Sequence, residues 1–300
     1  MSQALDLPAR GGLSAYLRAL RPRQWMKNVA VLAAVVFAEK LTDPASARQA
    51  FVTLLAFCAL GSATYLANDI ADRERDRLHP TKKHRPIAAG LIPVGTASVL
   101  SAILALTGIT VCLLVNERTA ILGGAYLALQ VAYTTRLKHV VLFDVASIAA
   151  GFVLRVAAGA LAVSVPISNW LYLCTLLLSL FLALGKRRHE LEVLEGDAAM
   201  HRGALARYSV PLVDQMMTAV TASLIVTYAL YTMSDETIRR FGSDRLSWTV
   251  PIVIYGLFRY LYLVHREGAG GAPEKVLTGD RPLLATCAVY GLVVLGIVYL

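Results

Sequence analysis

The sequence predicts an all-α polytopic membrane protein, about nine transmembrane helices with charged loops gathered on the cytoplasmic side. Three observations lead there. Of 300 residues, 57% are hydrophobic and 16% charged, and the mean hydropathy is +0.59. Soluble domains carry roughly 45–50% apolar and 25% charged residues. The apolar excess falls in runs long enough to cross a bilayer. The basic residues divide unequally between alternate loops.

The runs place spans at about 16–39, 49–68, 93–115, 119–135, 141–163, 169–185, 210–232, 247–265 and 281–300. The first is the least pure, because Arg18, Arg21, Arg23 and Lys27 occupy its start. Such a segment suits an amphipathic helix lying on the membrane surface. The spans at 119–135 and 169–185 are short but sufficient. Gly268-Ala-Gly-Gly-Ala-Pro273 reads as a flexible loop before the last span. Residues 1–15 read as a flexible tail, and no soluble stretch is large enough to fold alone. The chain reads as one membrane domain over 1–300. The N-terminal Met-Ser-Gln-Ala-Leu-Asp lacks the basic-then-apolar form of a signal peptide.

The net charge of +9 raises nucleic acid as a partner, and the distribution argues against it. With a cytoplasmic N-terminus, the N-terminal segment and the loops after spans 2, 4, 6 and 8 hold 21 of the 29 Lys and Arg residues, against 6 on the other side. That bias fixes the charged loops in the cytoplasm. Cys58, Cys112, Cys174 and Cys287 each stand alone in a different span and read as small buried hydrophobes. None of the six histidines, His79, His84, His139, His189, His201 and His265, has zinc-ligand spacing.

The chemistry concentrates in 68–90. Asn68, Asp69, Asp72 and Asp76 end the second span. On a continuous helix the three aspartates share one face within about 60° of arc. Such a stripe repels itself unless a cation sits in it, and Mg²⁺, which takes one or two carboxylates plus substrate phosphates, is the natural candidate. Lys82, Lys83 and Arg85 follow as phosphate donors. The pair of features points to a diphosphate site; the alternative is a solvated helix of alternating charge.

Other polar residues stand on the same side. Lys27 and Asn28 sit one turn into an apolar stretch. Tyr133, Arg136 and Lys138 lie between spans 4 and 5, as interfacial anchors or diphosphate ligands. Asp144 enters span 5, and Arg155 falls roughly 16 Å further along a helix. A charge at that depth faces a polar pocket or pairs with another helix. The loop after span 6 opens with Lys186, Arg187 and Arg188, as phosphate ligands or as membrane anchors; Glu190, Glu192 and Asp197 follow as further acids. Asp214 and Gln215 stand near the start of span 7.

These residues resemble a family. Asn68-Asp69-x-x-Asp72-x-x-x-Asp76 is similar to the first aspartate-rich motif of the UbiA superfamily of intramembrane prenyltransferases, and the likeness in spans and loops covers nearly the whole chain. His79-Pro-Thr-Lys-Lys-His-Arg-Pro-Ile-Ala88 resembles the branch of polyprenyl-phosphate (decaprenyl-type) phosphoribosyltransferases. So do Arg21-Pro-Arg-Gln-Trp25-x-Lys27-Asn28, Tyr133-x-x-Arg136-Leu-Lys138, Gly151-Phe-Val-Leu-Arg155 and Gly185-Lys-Arg-Arg-x-Glu190-Leu191. Typical aromatic prenyltransferases carry a second aspartate-rich motif where this chain has Lys186-Arg187-Arg188.

The resemblance implies a UbiA-type bundle in a bacterial inner membrane with its active site on the cytoplasmic side. It implies transfer of 5-phosphoribosyl from phosphoribosyl pyrophosphate to a polyprenyl phosphate, with release of pyrophosphate. Mg²⁺ on Asp69, Asp72 and Asp76, with Asn68 beside them, would hold the pyrophosphate. Lys27, Lys82, Lys83, Arg85, Tyr133, Arg136, Lys138, Arg155 and Lys186 to Arg188 would share the phosphates. Asp144 or Glu190 would supply a further carboxylate. Three other readings stand beside it: prenyl transfer from a prenyl diphosphate to an aromatic or lipid acceptor, a transporter or flippase, and an anionic-lipid-binding scaffold, which leaves the aligned aspartates unexplained. Most of the charge at one face disfavours transport. The oligomeric state stays open, homo-oligomers included.

Overall fold

A computed structural model describes residues 11–193 and 204–300. Asp197 and His201 lie outside them, as do the first ten residues of the expected N-terminal tail. The chain is helical from Leu13, so the last three residues of that tail are helical: α1 (Leu13–Leu20) buries Ala15 and Ala19 against Leu66, Ile87 and Ile92.

The expected first span is broken. After α1 the chain turns at Arg21, whose φ of 54° and ψ of 60° are left-handed. The cause is in the sequence, since a residue before proline is disfavoured in the right-handed helical region and Pro22 opens the next element. A 3-10 segment, Pro22–Leu32, then leads into the short α2 (Ala33–Phe37).

The long helices carry legible caps. Asp43 accepts from the amides of Ala45 and Ser46, with Pro44 at the first position of α3 (Pro44–Ala71). Asn116 caps α6 (Glu117–Thr135). Ser209 caps α9 (Val210–Met233), and Asp280 caps α13 (Arg281–Tyr299). Between them run α4 (Arg73–Leu78), α5 (Val94–Val115), α7 (Phe143–Ala162), α8 (Asn169–Val193), α10 (Asp235–Phe241), α11 (Val250–Arg266) and α12 (Pro273–Gly279). Among the described residues seven helices are long and apolar enough to cross a membrane. The expected count of nine is not reached by this measure. The start of the chain is divided at Arg21-Pro22, and α6, though helical throughout, is too polar over its 19 residues.

Two large apolar cores dominate, beside smaller ones. One joins α3, α5, α6, α7 and the 3-10 segment through Val31, Phe57, Leu60, Tyr126 and Ala158. The other joins α7, α8, α9 and α11 through Val145, Phe181, Leu184, Met217 and Tyr260. The helix common to both, α7, is packed with small residues, and Gly159 touches the 3-10 segment so closely that a Cβ there would lie 1.8 Å from the Val31 carbonyl oxygen. The outer faces of α5 and α13 expose Val99, Ile103, Leu106, Leu114, Val289 and Leu292, as lipid-facing helices do. Cys58 and Cys112 are buried as expected. Cys174 is half-buried and Cys287 exposed, because Cys287 stands on α13, most of whose surface is uncovered.

Candidate active site

The aspartates do not share one uninterrupted helix. The helix is interrupted at Asp72 (φ −93°, ψ 3°), which separates α3 from α4. Helical hydrogen bonds nonetheless carry the register across, from the Asp72 amide to the Asn68 carbonyl (2.9 Å) and from the Asp76 amide to the Asp72 carbonyl (2.8 Å). Asp69 and Asp76, both nearly inaccessible, converge on one nitrogen. Arg85 Nη1 lies 3.0 Å from Asp69 and 2.6 Å from Asp76. Asp69 also accepts both contacts of Arg21 Nη2, at 2.6 and 2.8 Å. Asp72 turns to a different cation, Lys138 Nζ, at 2.8 and 3.0 Å. Splitting the stripe between separate counter-charges relieves the repulsion among the carboxylates. Asn68 accepts from Thr134 (3.4 Å).

This cluster suits a hard cation. Its acidic donors are all oxygens, and Arg85 already holds one positive charge between two of them. Among the described residues no group of three or more His, Cys, Asp or Glu is close enough to hold a metal alone. Mg²⁺ usually completes its shell with substrate phosphates and water, so these carboxylates would hold it only together with such ligands.

Beside the cluster opens a cavity of about 400 Å³. Arg21, Lys27, Tyr133, Arg155 and Lys186 line it, with no carboxylate among the described lining residues. The 3-10 segment brings Arg21 and Lys27, α6 brings Tyr133, α7 brings Arg155 and α8 brings Lys186. Four basic side chains around one cavity suit it to an anion, with Arg21 already met by Asp69. A second, apolar cavity of about 390 Å³ abuts the first and shares Ala30, Phe152, Ser179 and Leu182 with it.

The basic triplet divides. Lys186 lines the cavity, but Arg187 and Arg188 turn into a separate ionic network. Arg187, with no exposed surface, contacts Asp144 at 2.9 Å and also Glu190. Tyr208 donates to Asp144 (2.8 Å); burial pushes its phenol up to about 12, so it keeps its proton at physiological pH. Arg188 bonds Asp214 (2.7 Å) and Glu192 (2.6 Å). The triplet is consecutive on a helix, so its members point in different directions. Of the remaining predicted phosphate ligands, Lys82, Lys83 and Arg136 do not line the cavity; Lys83 and Arg136 are exposed. Arg85 and Lys138 belong to the aspartate cluster.

Sequence reasoning missed several lining residues. Arg21 was visible only as one base in a basic motif. Gln24, Thr64, Tyr65, Tyr126 and Gln130 are uncharged and carry no spacing signal. Gly271, Pro273 and Leu277 also border the cavity, because the glycine-rich loop packs onto α8. A Cβ on Gly270 would lie 2.4 Å from the Gly185 carbonyl oxygen.

Fold and site together give a membrane-embedded helical bundle with an acidic cluster beside a cavity rich in basic side chains. The sequence profile of the UbiA prenyltransferase family matches residues 28–276, and the chain belongs to that family. It is an integral membrane protein and an enzyme of the UbiA superfamily. It is 33% identical to the decaprenyl-phosphate phosphoribosyltransferase of Mycolicibacterium smegmatis over 285 residues, 92% of this chain and 90% of that one. It is 34% identical to the decaprenyl-phosphate phosphoribosyltransferase of Corynebacterium glutamicum over 284 residues, 92% and 84% of the two chains. Its fold matches a UbiA homolog from Archaeoglobus fulgidus bound to GPP and Mg²⁺, with a TM-score of 0.73 at 19% identity, covering 95% of this chain and 100% of that one.

Proposed function

We propose that the protein transfers 5-phosphoribosyl from phosphoribosyl pyrophosphate to a polyprenyl phosphate, releasing pyrophosphate. The observation that carries this reading is the pair of abutting cavities, one lined by four cations and no described acid, the other apolar. An anionic sugar donor and a phosphorylated isoprenoid need such neighbours. The relatives named for this activity, matched over about nine-tenths of the chain, support it.

Asp69, Asp72 and Asp76 would hold Mg²⁺, which when bound supplies charge stabilisation to the leaving pyrophosphate. Asn68 would orient the carboxylates. Arg21, Arg85 and Lys138, the present counter-charges of the aspartates, would turn to donor phosphates. Lys27 and Lys186 would bind the anionic groups inside the cavity, and Tyr133 would border them. The lipid phosphate oxygen attacks ribose C1 and the bond from C1 to pyrophosphate breaks. The nucleophile is already an anion, so no residue need take a proton from it. Asp144, Glu190, Arg187 and Arg188 would support α8 and so present Lys186. The charged loops would face the cytoplasm of a bacterial cell across its inner membrane.

Purified protein in detergent, given Mg²⁺, phosphoribosyl pyrophosphate and a polyprenyl phosphate, should release pyrophosphate. It should also form a lipid heavier by one phosphoribosyl unit, and EDTA should stop both. Activity only on a prenyl diphosphate with an aromatic or lipid acceptor would overturn the reading.

A further inference from the structure

We propose that Arg155 is the seat of the acceptor's phosphate monoester, so that its uncompensated charge selects a phosphorylated isoprenoid at the seam between the two cavities. The inference rests on the phosphoribosyl-transfer reading and assigns one of its two substrates to a place.

Arg155 differs from the other buried cations. Arg187 and Lys138 are each held by a carboxylate, as are the less buried Arg21 and Arg85. Arg155 is only 6% exposed, yet its partners are neutral. Nε donates to Asn28 Oδ1 (2.7 Å), Nη1 to the Gly151 carbonyl (2.9 Å) and Nη2 to the Tyr126 hydroxyl (2.8 Å). The rings of Tyr126 and Phe152 lie 4.7 and 5.2 Å from its guanidinium carbon. Among the described residues it pairs with no carboxylate. These contacts fix the guanidinium in place and use three of its five N–H donors. A positive charge inside a membrane bundle is costly until an anion meets it. The protein orients this charge without neutralising it, as an anion site requires.

Position chooses between the two anionic substrates. Arg155 lines the polar cavity, and Phe152, one turn earlier on α7, borders both cavities. An amphiphile with its head in the polar cavity and its chain in the apolar one has its phosphate at that seam. The donor's pyrophosphate belongs with the aspartate cluster, which meets the cavity through Arg21.

The test neutralises Arg155 without removing it. Asn28→Asp puts a carboxylate oxygen where the amide oxygen now accepts from Nε, at almost unchanged shape. The expected result is a KM for polyprenyl phosphate raised at least about tenfold, the scale of one lost charge-assisted contact. The KM for phosphoribosyl pyrophosphate should hold, and the melting temperature in detergent should not fall. Arg155→Gln should raise the same KM. Equilibrium binding without donor gives a second readout: wild type should prefer decaprenyl phosphate over decaprenol, and Asn28→Asp should erase that preference. An unchanged lipid KM and preference in Asn28→Asp would overturn the proposal, as would a rise confined to the donor's KM. Wild-type protein without phosphoribosyl transfer, but with an Asn28-sensitive preference for the lipid phosphate, would sink the transfer reading and support this site.

Discussion

At the residue scale, the same charge means different things in different partnerships. Asp72 faces Lys138 at the interrupted end of α3, and Asp72→Asn keeps an acceptor for that lysine while removing the carboxylate. It should lower kcat at least about a hundredfold, the size of a lost charge-stabilising contact of several kcal/mol, with membrane yield unchanged. Near-normal turnover would remove Asp72 from the metal site. Asp144 and Arg187 lie in a separate and fully buried pair. Asp144→Leu alone leaves the buried Arg187 with only Glu190 of its two carboxylates and should cost up to about 3–5 kcal/mol, seen as a lower melting temperature. The double variant Asp144→Leu with Arg187→Met should recover much of that loss, since a buried pair replaced together by apolar groups is often neutral. A double variant less stable than either single one would refute a structural role. The sequence named both residues but could not say that they meet, because 43 positions separate them and only the packing of α7 on α8 joins them.

At the scale of elements, α7 is the axis. Its small residues let the 3-10 segment approach, and that approach brings Asn28 to Arg155 and Lys27 into the cavity. Gly159→Ala places a methyl group into the Val31 carbonyl. It should destabilise by at least about 1–3 kcal/mol, as overpacking does, and lower activity through the displaced segment. Gly124→Ala is the control: nothing lies within 4 Å of its added methyl, and in mid-helix it should be neutral or stabilising by up to ~1 kcal/mol. Equal melting shifts for the two would show that the close approach is not required. Pro22 stands in the sequence after Arg21, yet the apolar run around it read as one span. Hydropathy counts residues and does not register a left-handed turn.

At the scale of the whole molecule, the inequality of basic residues between loops predicts an orientation that labelling can check. In a background without the four cysteines, Lys83→Cys should react with an impermeant maleimide only after the cells are opened, and Arg118→Cys should react in intact cells. The reverse pattern would invert the topology and move the aspartate cluster to the outer face. Both positions lie outside the cavity lining, so neither substitution disturbs it.

The sequence by itself determined the membrane class, most of the long helices, the aspartate cluster and the basic residues near it. Those features rest on local composition and on spacing along the chain. Only the tertiary structure decided that Lys186 enters the cavity while Arg187 and Arg188 leave it, that the aspartates divide between Arg85 and Lys138, and that Arg155 stands among neutral partners. A side chain's charge is written in the chain, but whether that charge is met depends on which distant helix packs against it.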